Sequence, residues 1–261
     1  MILIRGAGDI ASGIAVRLHR CGFTLVMTDL AAPTAIRRTV CFSEAIVHGD
    51  CTVEDITAER AESKEDAELI LQRGHIPVFA DDEGTVRSIL SPKAVVDARL
   101  AKVNLDTSIT DAPIVVAVGP GFTAGKDCHA VVETQRGHYL GRAIYLGSAA
   151  PNTGVPGNIG GYTVERLIRA PKAGVFRLVH EIGDQVAAGD TVAFVDDIPV
   201  TCQIGGILRG ILPEGTPVYE GMKSGDVDPR CKPEHCLCAS DKALSVGGGV
   251  LEALLHLGYK E

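Results

Sequence analysis

Between Ala170 and Pro229 the chain repeats itself at a fixed offset of 32 residues, and this period constrains its folding more than any other feature. Gly174-Val175-Phe176-Arg177 returns as Gly206-Ile207-Leu208-Arg209. Gly183-x-x-Val186-x-x-Gly189 returns as Gly215-x-x-Val218-x-x-Gly221, and Val195-Asp196 as Val227-Asp228. Several matches at one offset mark two copies of a single supersecondary unit. Each copy consists of short apolar runs divided by Gly turns, which reads as short strands, and two copies related by a two-fold cover each other's open edges.

This pattern resembles the biotinyl/lipoyl barrel-sandwich module. That module carries a modified Lys on the hairpin between its halves. Here the hairpin is Asp196-Asp197-Ile198-Pro199, and no Lys stands between Lys172 and Lys223. A swinging arm is therefore excluded, which leaves a rigid β scaffold for a partner or substrate.

The other end of the chain follows a different rule. Ile2-Leu3-Ile4 is a short apolar run, Gly6-Ala7-Gly8-Asp9 a tight turn, and Ile10, Ile14, Ala15 and Leu18 recur at helical spacing up to Cys21-Gly22. Phe23 to Met27 is a second strand, and Asp29 follows it. Strand, turn, helix, strand and acid in that order predict a Rossmann-like βαβ domain. Its glycines bring the backbone close to a pyrophosphate, whose charge is favoured by unpaired amides and by the positive end of the helix dipole. The binding residues expected on this reading are Gly6, Gly8, Asp9, Ala11, Gly13 and Asp29. The alternative is that the glycines serve only close helix-strand packing.

Further along, Arg37 and Arg38 are placed to face a phosphate or carboxylate across the crevice, or else are solvated helix residues. Ile114 to Val118 reads as a buried strand, and Gly119 and Gly121 just past its end make a site by position. Two strands flank Gln135-Arg136-Gly137-His138, so Arg136, His138 and Arg142 either line an anionic pocket or decorate a hairpin tip. The uncharged loop Pro151 to Gly161 is a binding loop or a domain seam. The expected architecture is thus α/β plus β, in three stretches. Residues 1–165 form the Rossmann-like domain with Gly-rich loops, 166–230 the barrel-sandwich-like β domain, and 231–261 a Cys-containing loop and a final helix capped by Ser240.

Charge narrows the function. Lys and Arg number 25 against 33 Asp and Glu, a formal net charge of −8, and no stretch concentrates basic residues. Binding to a nucleic-acid backbone is disfavoured. With six Phe, five Tyr and no Trp, a base-stacking platform is disfavoured too. The sequence begins directly in a strand pattern and holds no apolar run long enough to span a bilayer, which predicts a cytoplasmic protein with no membrane contact. Its eight Cys are expected to be reduced thiols. Cys231, His235, Cys236 and Cys238 lie close together, but Cys236-x-Cys238 is awkward for one tetrahedral ion, so no metal is assigned. A reactive thiolate at Cys236 beside His235 is the alternative, with buried inert thiols the bland reading.

With these segments in view, the sequence resembles the YqeB family of accessory proteins from selenium-dependent molybdenum hydroxylase systems. The resemblance is carried by Arg5-Gly6-Ala7-Gly8-Asp9-Ile10-Ala11-Ser12-Gly13, Arg37-Arg38-Thr39-Val40, Gly119-Pro120-Gly121-Phe122, Glu133 to His138, Pro151 to Gly157, Gly225 to Arg230, and Ser240-Asp241-Lys242-Ala243. It implies a role in maturing a molybdenum hydroxylase, through insertion of its cofactor or delivery of sulfur or selenium. The implied partners are that apoenzyme or its other maturation proteins, a small anionic ligand such as a molybdopterin-type cofactor or a nucleotide, and a second copy of the chain.

On this reading Cys236 receives or passes on the chalcogen. A second hypothesis is an NAD-dependent oxidoreductase with Asp29 on the ribose and His138 as proton donor, against which no Tyr-x-x-x-Lys pair is visible. A third is a noncatalytic scaffold whose β module docks the target enzyme.

Overall fold

The computed structural model describes residues 1–261 and divides into two units, each assembled from separate stretches of chain. Unit 1 comprises Met1–Pro33, Cys41–Thr153 and Ala239–Glu261; unit 2 comprises Thr34–Val40 and Gly154–Cys238. A linear division at residues 165 and 230 describes neither.

Unit 1 contains, in chain order, β1 (Ile2–Arg5), α1 (Asp9–Arg20), β2 (Leu25–Asp29), α2 (Glu44–His48), β3 (Asp50–Val53), β4 (Ile56–Arg60), α3 (Lys64–Gln72), β5 (Ile76–Ala80), α4 (Val86–Leu90), β6 (Ala94–Asp97), β7 (Ile114–Val118), β8 (Ala130–Val132), β9 (Ala143–Ile144) and α5 (Asp241–His256). The strands form one nine-stranded sheet in the order β3-β4-β5-β2-β1-β6-β7-β8-β9. Strands β4 to β8 run parallel, whereas β3 pairs antiparallel with β4 and β9 antiparallel with β8. The middle strands are continuous apolar runs because both their faces are covered: Ile2, Leu3, Ile4, Val95, Val96 and Val115 to Val118 are all buried. Helix α1 buries the stripe Ile10, Ile14, Ala15 and Leu18.

Unit 2 contains β10 (Leu167–Arg169), β11 (Gly174–Leu178), β12 (Gln185–Val186), β13 (Thr191–Val195), β14 (Ile198–Thr201), β15 (Gly206–Ile211), β16 (Pro217–Val218) and β17 (Lys223–Asp228). They make two four-stranded antiparallel sheets, β10-β17-β15-β12 and β14-β13-β11-β16. The 32-residue period maps β11, β12 and β13 onto β15, β16 and β17. The copies exchange strands: β12 of the first pairs with β15 of the second, and β16 of the second with β11 of the first. Phe176, Val192, Val195, Leu208, Ile211 and Val227 fill the core so formed.

The expected fold class, a Rossmann-like domain followed by a barrel-sandwich module, is therefore corrected. The first unit is a mixed nine-stranded sheet with antiparallel strands at both edges, and it recruits its last helix from the far end of the sequence. The second is a pair of four-stranded sheets that also takes in residues 34–40, where the Ile36 carbonyl accepts from Ile211 N at 2.8 Å. Period and local pattern set the pairing within each copy. They carry no information about strands added from elsewhere in the chain.

Candidate functional site

The turn after β1 is tightly determined. Gly6 has φ +103°, and a Cβ there would lie 2.9 Å from the Ala98 carbonyl oxygen, so only glycine fits. Ala7 N donates to Asp29 Oδ2 at 2.7 Å, and Leu30 N donates to Asp29 Oδ1 at 2.8 Å. The Ala7 carbonyl accepts from Ser12 Oγ and Ser43 N, both at 3.0 Å. Asp29 thus braces the turn through Oδ2 while Oδ1 caps its own following amide. Burial pushes its carboxyl above the usual range, against the pull of those two amides.

Beyond Ala7 the turn opens. Gly8 is the N-cap of α1 and supplies no side-chain cap, and a Cβ built on it meets nothing within 4 Å. Asp9 occupies the first helical turn. Ala11 and Gly13, expected to bind cofactor, are packing positions instead. Ala11 is buried, and a Cβ on Gly13 would stand 2.4 Å from that of Ala243 on α5.

A partly buried charge network that the sequence did not reveal lies at the carboxyl ends of β1 and β6. Arg5 donates to Thr107 Oγ1 at 3.0 Å and to Asp106 at 2.6 Å. Arg99 grips Asp97 at 3.1 and 2.7 Å and reaches Asp106 at 2.6 Å, while Thr107 Oγ1 donates to Asp97 at 2.6 Å. Two guanidiniums meet two carboxylates, so the network straps the loop after β6 onto the sheet. Gly119 and Gly121 serve the same region: a Cβ on Gly119 would meet Thr134 Oγ1 at 2.9 Å, and one on Gly121 the Val103 backbone at 2.7 Å.

The remaining expected residues are dispersed. Arg136 makes a two-pronged ion pair with Asp241 at 2.7 and 2.8 Å. His138 stacks edge-on with Tyr139 at the mouth of an open surface cleft of about 430 Å³ that also includes Arg142 and Glu252. Arg37 and Arg38 belong to unit 2, whereas the turn belongs to unit 1. Arg38 donates to the Ile211 carbonyl at 3.1 Å and to Glu181 at 3.2 Å.

Cys236 is buried in unit 2, and its thiol points to the Leu208 carbonyl at 4.0 Å. Burial pushes that thiol up, outweighing the nearby Arg209. The neighbouring His235 faces Asp228 at 3.6 Å. At neutral pH Cys236 is a protonated core thiol, which removes the reading of a reactive thiolate. No group of three or more His, Cys, Asp and Glu is placed to hold a metal ion.

Unit 2 contains a cationic cluster around two buried aspartates. Asp226 and Asp228 alternate on one face of β17 and are 1% and 2% exposed. Arg166 and Arg37 reach Asp226 at 2.6 and 3.1 Å; Arg230, Arg209 and His235 reach Asp228 at 2.6, 3.6 and 3.6 Å. The register between β15 and β17 shifts between Leu208 and Gly210, so Arg209 sits at a bulge. Burial raises both carboxyls, but the guanidiniums outweigh it and hold each below the usual range. Charge density along the sequence gives no hint of this cluster, because its members are scattered from residue 37 to residue 235.

Fold and site together define a two-unit α/β and β protein with an open helix start in one unit and a buried arginine-aspartate cluster in the other. Along its whole length the chain is 50% identical, over 260 residues, to the uncharacterized protein YqeB of Escherichia coli (strain K12). The chain spans 48% of that relative's own length. No family model matches the sequence.

Among solved structures, the apo form of the ectoine utilization protein EutE (DoeB) from Ruegeria pomeroyi is 10% identical. It covers 87% of this chain and 85% of its own, at a TM-score of 0.27. An aspartoacylase family protein from Mesorhizobium loti is 12% identical, covering 87% and 83%, at 0.26. At these scores neither likeness carries an argument about this chain. No helix is long and apolar enough to cross a membrane.

Proposed function

We propose that the chain is the ligand-holding part of an accessory factor that matures a selenium-dependent molybdenum hydroxylase, and that its ligand is an anionic cofactor of nucleotide or molybdopterin type. The observation that supports it is the start of α1: a twelve-residue helix that begins without a side-chain cap, at the carboxyl end of a central parallel strand, with open space beside Gly8. Helix amides and the helix dipole favour a phosphate there. The adjoining Asp29 carboxylate favours a ligand that presents hydroxyls next to that phosphate, as a nucleotide does, since an ionised carboxylate only accepts hydrogen bonds. The residues at this turn fit such a group.

No chalcogen-transfer step is assigned to Cys236, whose thiol is buried and protonated. The partner on this reading is the hydroxylase apoenzyme or another of its maturation proteins. Native mass spectrometry of the purified protein, with calorimetric titration of ADP and NADH, tests the proposal. A bound nucleotide or pterin that is lost in Gly8→Val, together with impaired hydroxylase maturation in that variant, is the expected result. A protein that binds none of these, with maturation intact in Gly8→Val, overturns it.

A further inference from the structure

We infer that unit 2 holds a separate oxyanion site, for a phosphate or diphosphate group, formed by Arg166, Arg209, Arg230 and His235 around Asp226 and Asp228. This goes beyond the role proposed above and does not depend on it. The internal repeat supplies the first argument, because it shows the same strand built twice. Phe194 and Ile198 of the first copy stand where the second has Asp226 and Arg230. Asp196, the first copy's counterpart of Asp228, has a side chain 45% exposed, against 2% for Asp228. The first copy keeps one cation of this kind, Arg177 in the place of Arg209, on an exposed acid, so the fold does not demand that the acid be buried or ringed by several guanidiniums.

Unsatisfied donors supply the second argument. Arg166 is 5% exposed and anchored at both ends of its fork, with Nη1 on the Gly157 carbonyl at 3.0 Å and Nη2 on Asp226 at 2.6 Å. Its Nε is buried without a hydrogen-bond partner, and Nδ1 of His235 has only Asp228 Oδ2 at 3.6 Å, beyond hydrogen-bond reach. Buried donors are nearly always bonded, and leaving one bare is costly. An anion with several oxygens satisfies both.

Chemistry selects the class. The guanidiniums approach from the turn before β10, the bulge of β15 and the segment after β17, so a tetrahedral group with oxygens in several directions matches them better than a planar carboxylate. Asp226 and Asp228 lie about 7 Å apart along an extended strand. That spacing suits a diphosphate reaching toward both. The two carboxylates hold the guanidiniums in place and offset part of their charge, which keeps the cluster folded before a ligand arrives.

Calorimetric titration of the full chain with inorganic pyrophosphate, phosphate and malonate tests the site. Pyrophosphate is expected to bind most tightly, and Arg166→Gln and His235→Gln are each expected to weaken it at least tenfold. His235→Gln, at a partly exposed position, serves where Arg166→Gln fails to fold, as judged by circular dichroism. Absence of phosphate and pyrophosphate binding to the folded chain overturns the inference. Malonate binding as tightly as pyrophosphate overturns the phosphate class. Binding that survives both substitutions but falls in Gly8→Val places the anion in unit 1, which sinks this site and leaves the proposed function standing.

Discussion

Asp106 shows how much one carboxylate holds together in unit 1. It accepts from Arg5 and from Arg99, each at 2.6 Å. Burial pushes its carboxyl up, but the two guanidiniums outweigh that and bring it down to about 2. A carboxyl depressed in the folded state adds stability above its unfolded value near 4, and loses that contribution as pH falls towards 2. The Asp106 side chain is 45% exposed, so solvent screening discounts the effect to about 1 kcal/mol. Urea unfolding at pH 6 and at pH 2.5 should show Asp106→Asn less stable than the parent by that amount at the higher pH, with the difference shrunk to about a third of it at the lower. A difference undiminished at pH 2.5 would mean the side chain acts through packing.

Such pairings were not legible in the sequence. Arg5 and Asp106 are 101 residues apart and Arg37 and Asp226 are 189 apart, and nothing local ties either member to the other. What was legible at this scale was conformational: the need for Gly6 in the turn and the Ser240 cap, whose Oγ accepts from Ala243 N at 3.1 Å.

Helices α1 and α5 illustrate the next scale up. By propensity Gly247-Gly248-Gly249 should break a helix, yet α5 runs unbroken from Asp241 to His256. Packing explains two of the three glycines. A Cβ on Gly247 would lie 3.1 Å from the Gly13 carbonyl oxygen, and one on Gly249 2.0 Å from that of Gly141, whereas one on Gly248 meets nothing. Gly249→Ala must displace backbone and should destabilise the protein by about 1–3 kcal/mol. Gly248→Ala lacks that clash and removes a poor helix former, so it should stabilise by up to about 1 kcal/mol. Opposite shifts in the urea midpoint are the expected outcome, and equal shifts would remove close packing as the reason for the glycines.

The period-3.6 stripe made α1 readable, and the repeat made unit 2's strands readable. The β3–β4 hairpin was missed, although Cys51, Val53, Ile56 and Ala58 alternate around Glu54-Asp55. A short edge hairpin exposes much of one face, and its alternation is diluted by Thr52 and Thr57.

At the scale of the molecule, the chain leaves unit 1 after Pro33, returns at Cys41, leaves again after Thr153 and returns at Ala239. Sequence patterns are local, so they could indicate strands and helices but not that residues 34–40 fold with the second unit or that the last helix completes the first. This connectivity makes the C-terminal stretch structural for unit 1. Helix α5 buries Val246, Val250 and Leu254 as well as Ala243 and Ala253. Three large aliphatic side chains at about 2 kcal/mol each amount to about 6 kcal/mol, comparable with the whole stability of a typical domain at about 5–15 kcal/mol. A chain ending at Cys238 should therefore lose the cooperative unfolding of unit 1. The strands of unit 2 and their core at Phe176, Val192 and Leu208 contain no residue from the deleted stretch, so that unit should keep its amide protection. Hydrogen exchange read by mass spectrometry separates the two: fast exchange in β1, β2, β6 and β7 with slow exchange retained in β13, β15 and β17 is expected. Uniformly fast exchange would show instead that the two units fold only as one.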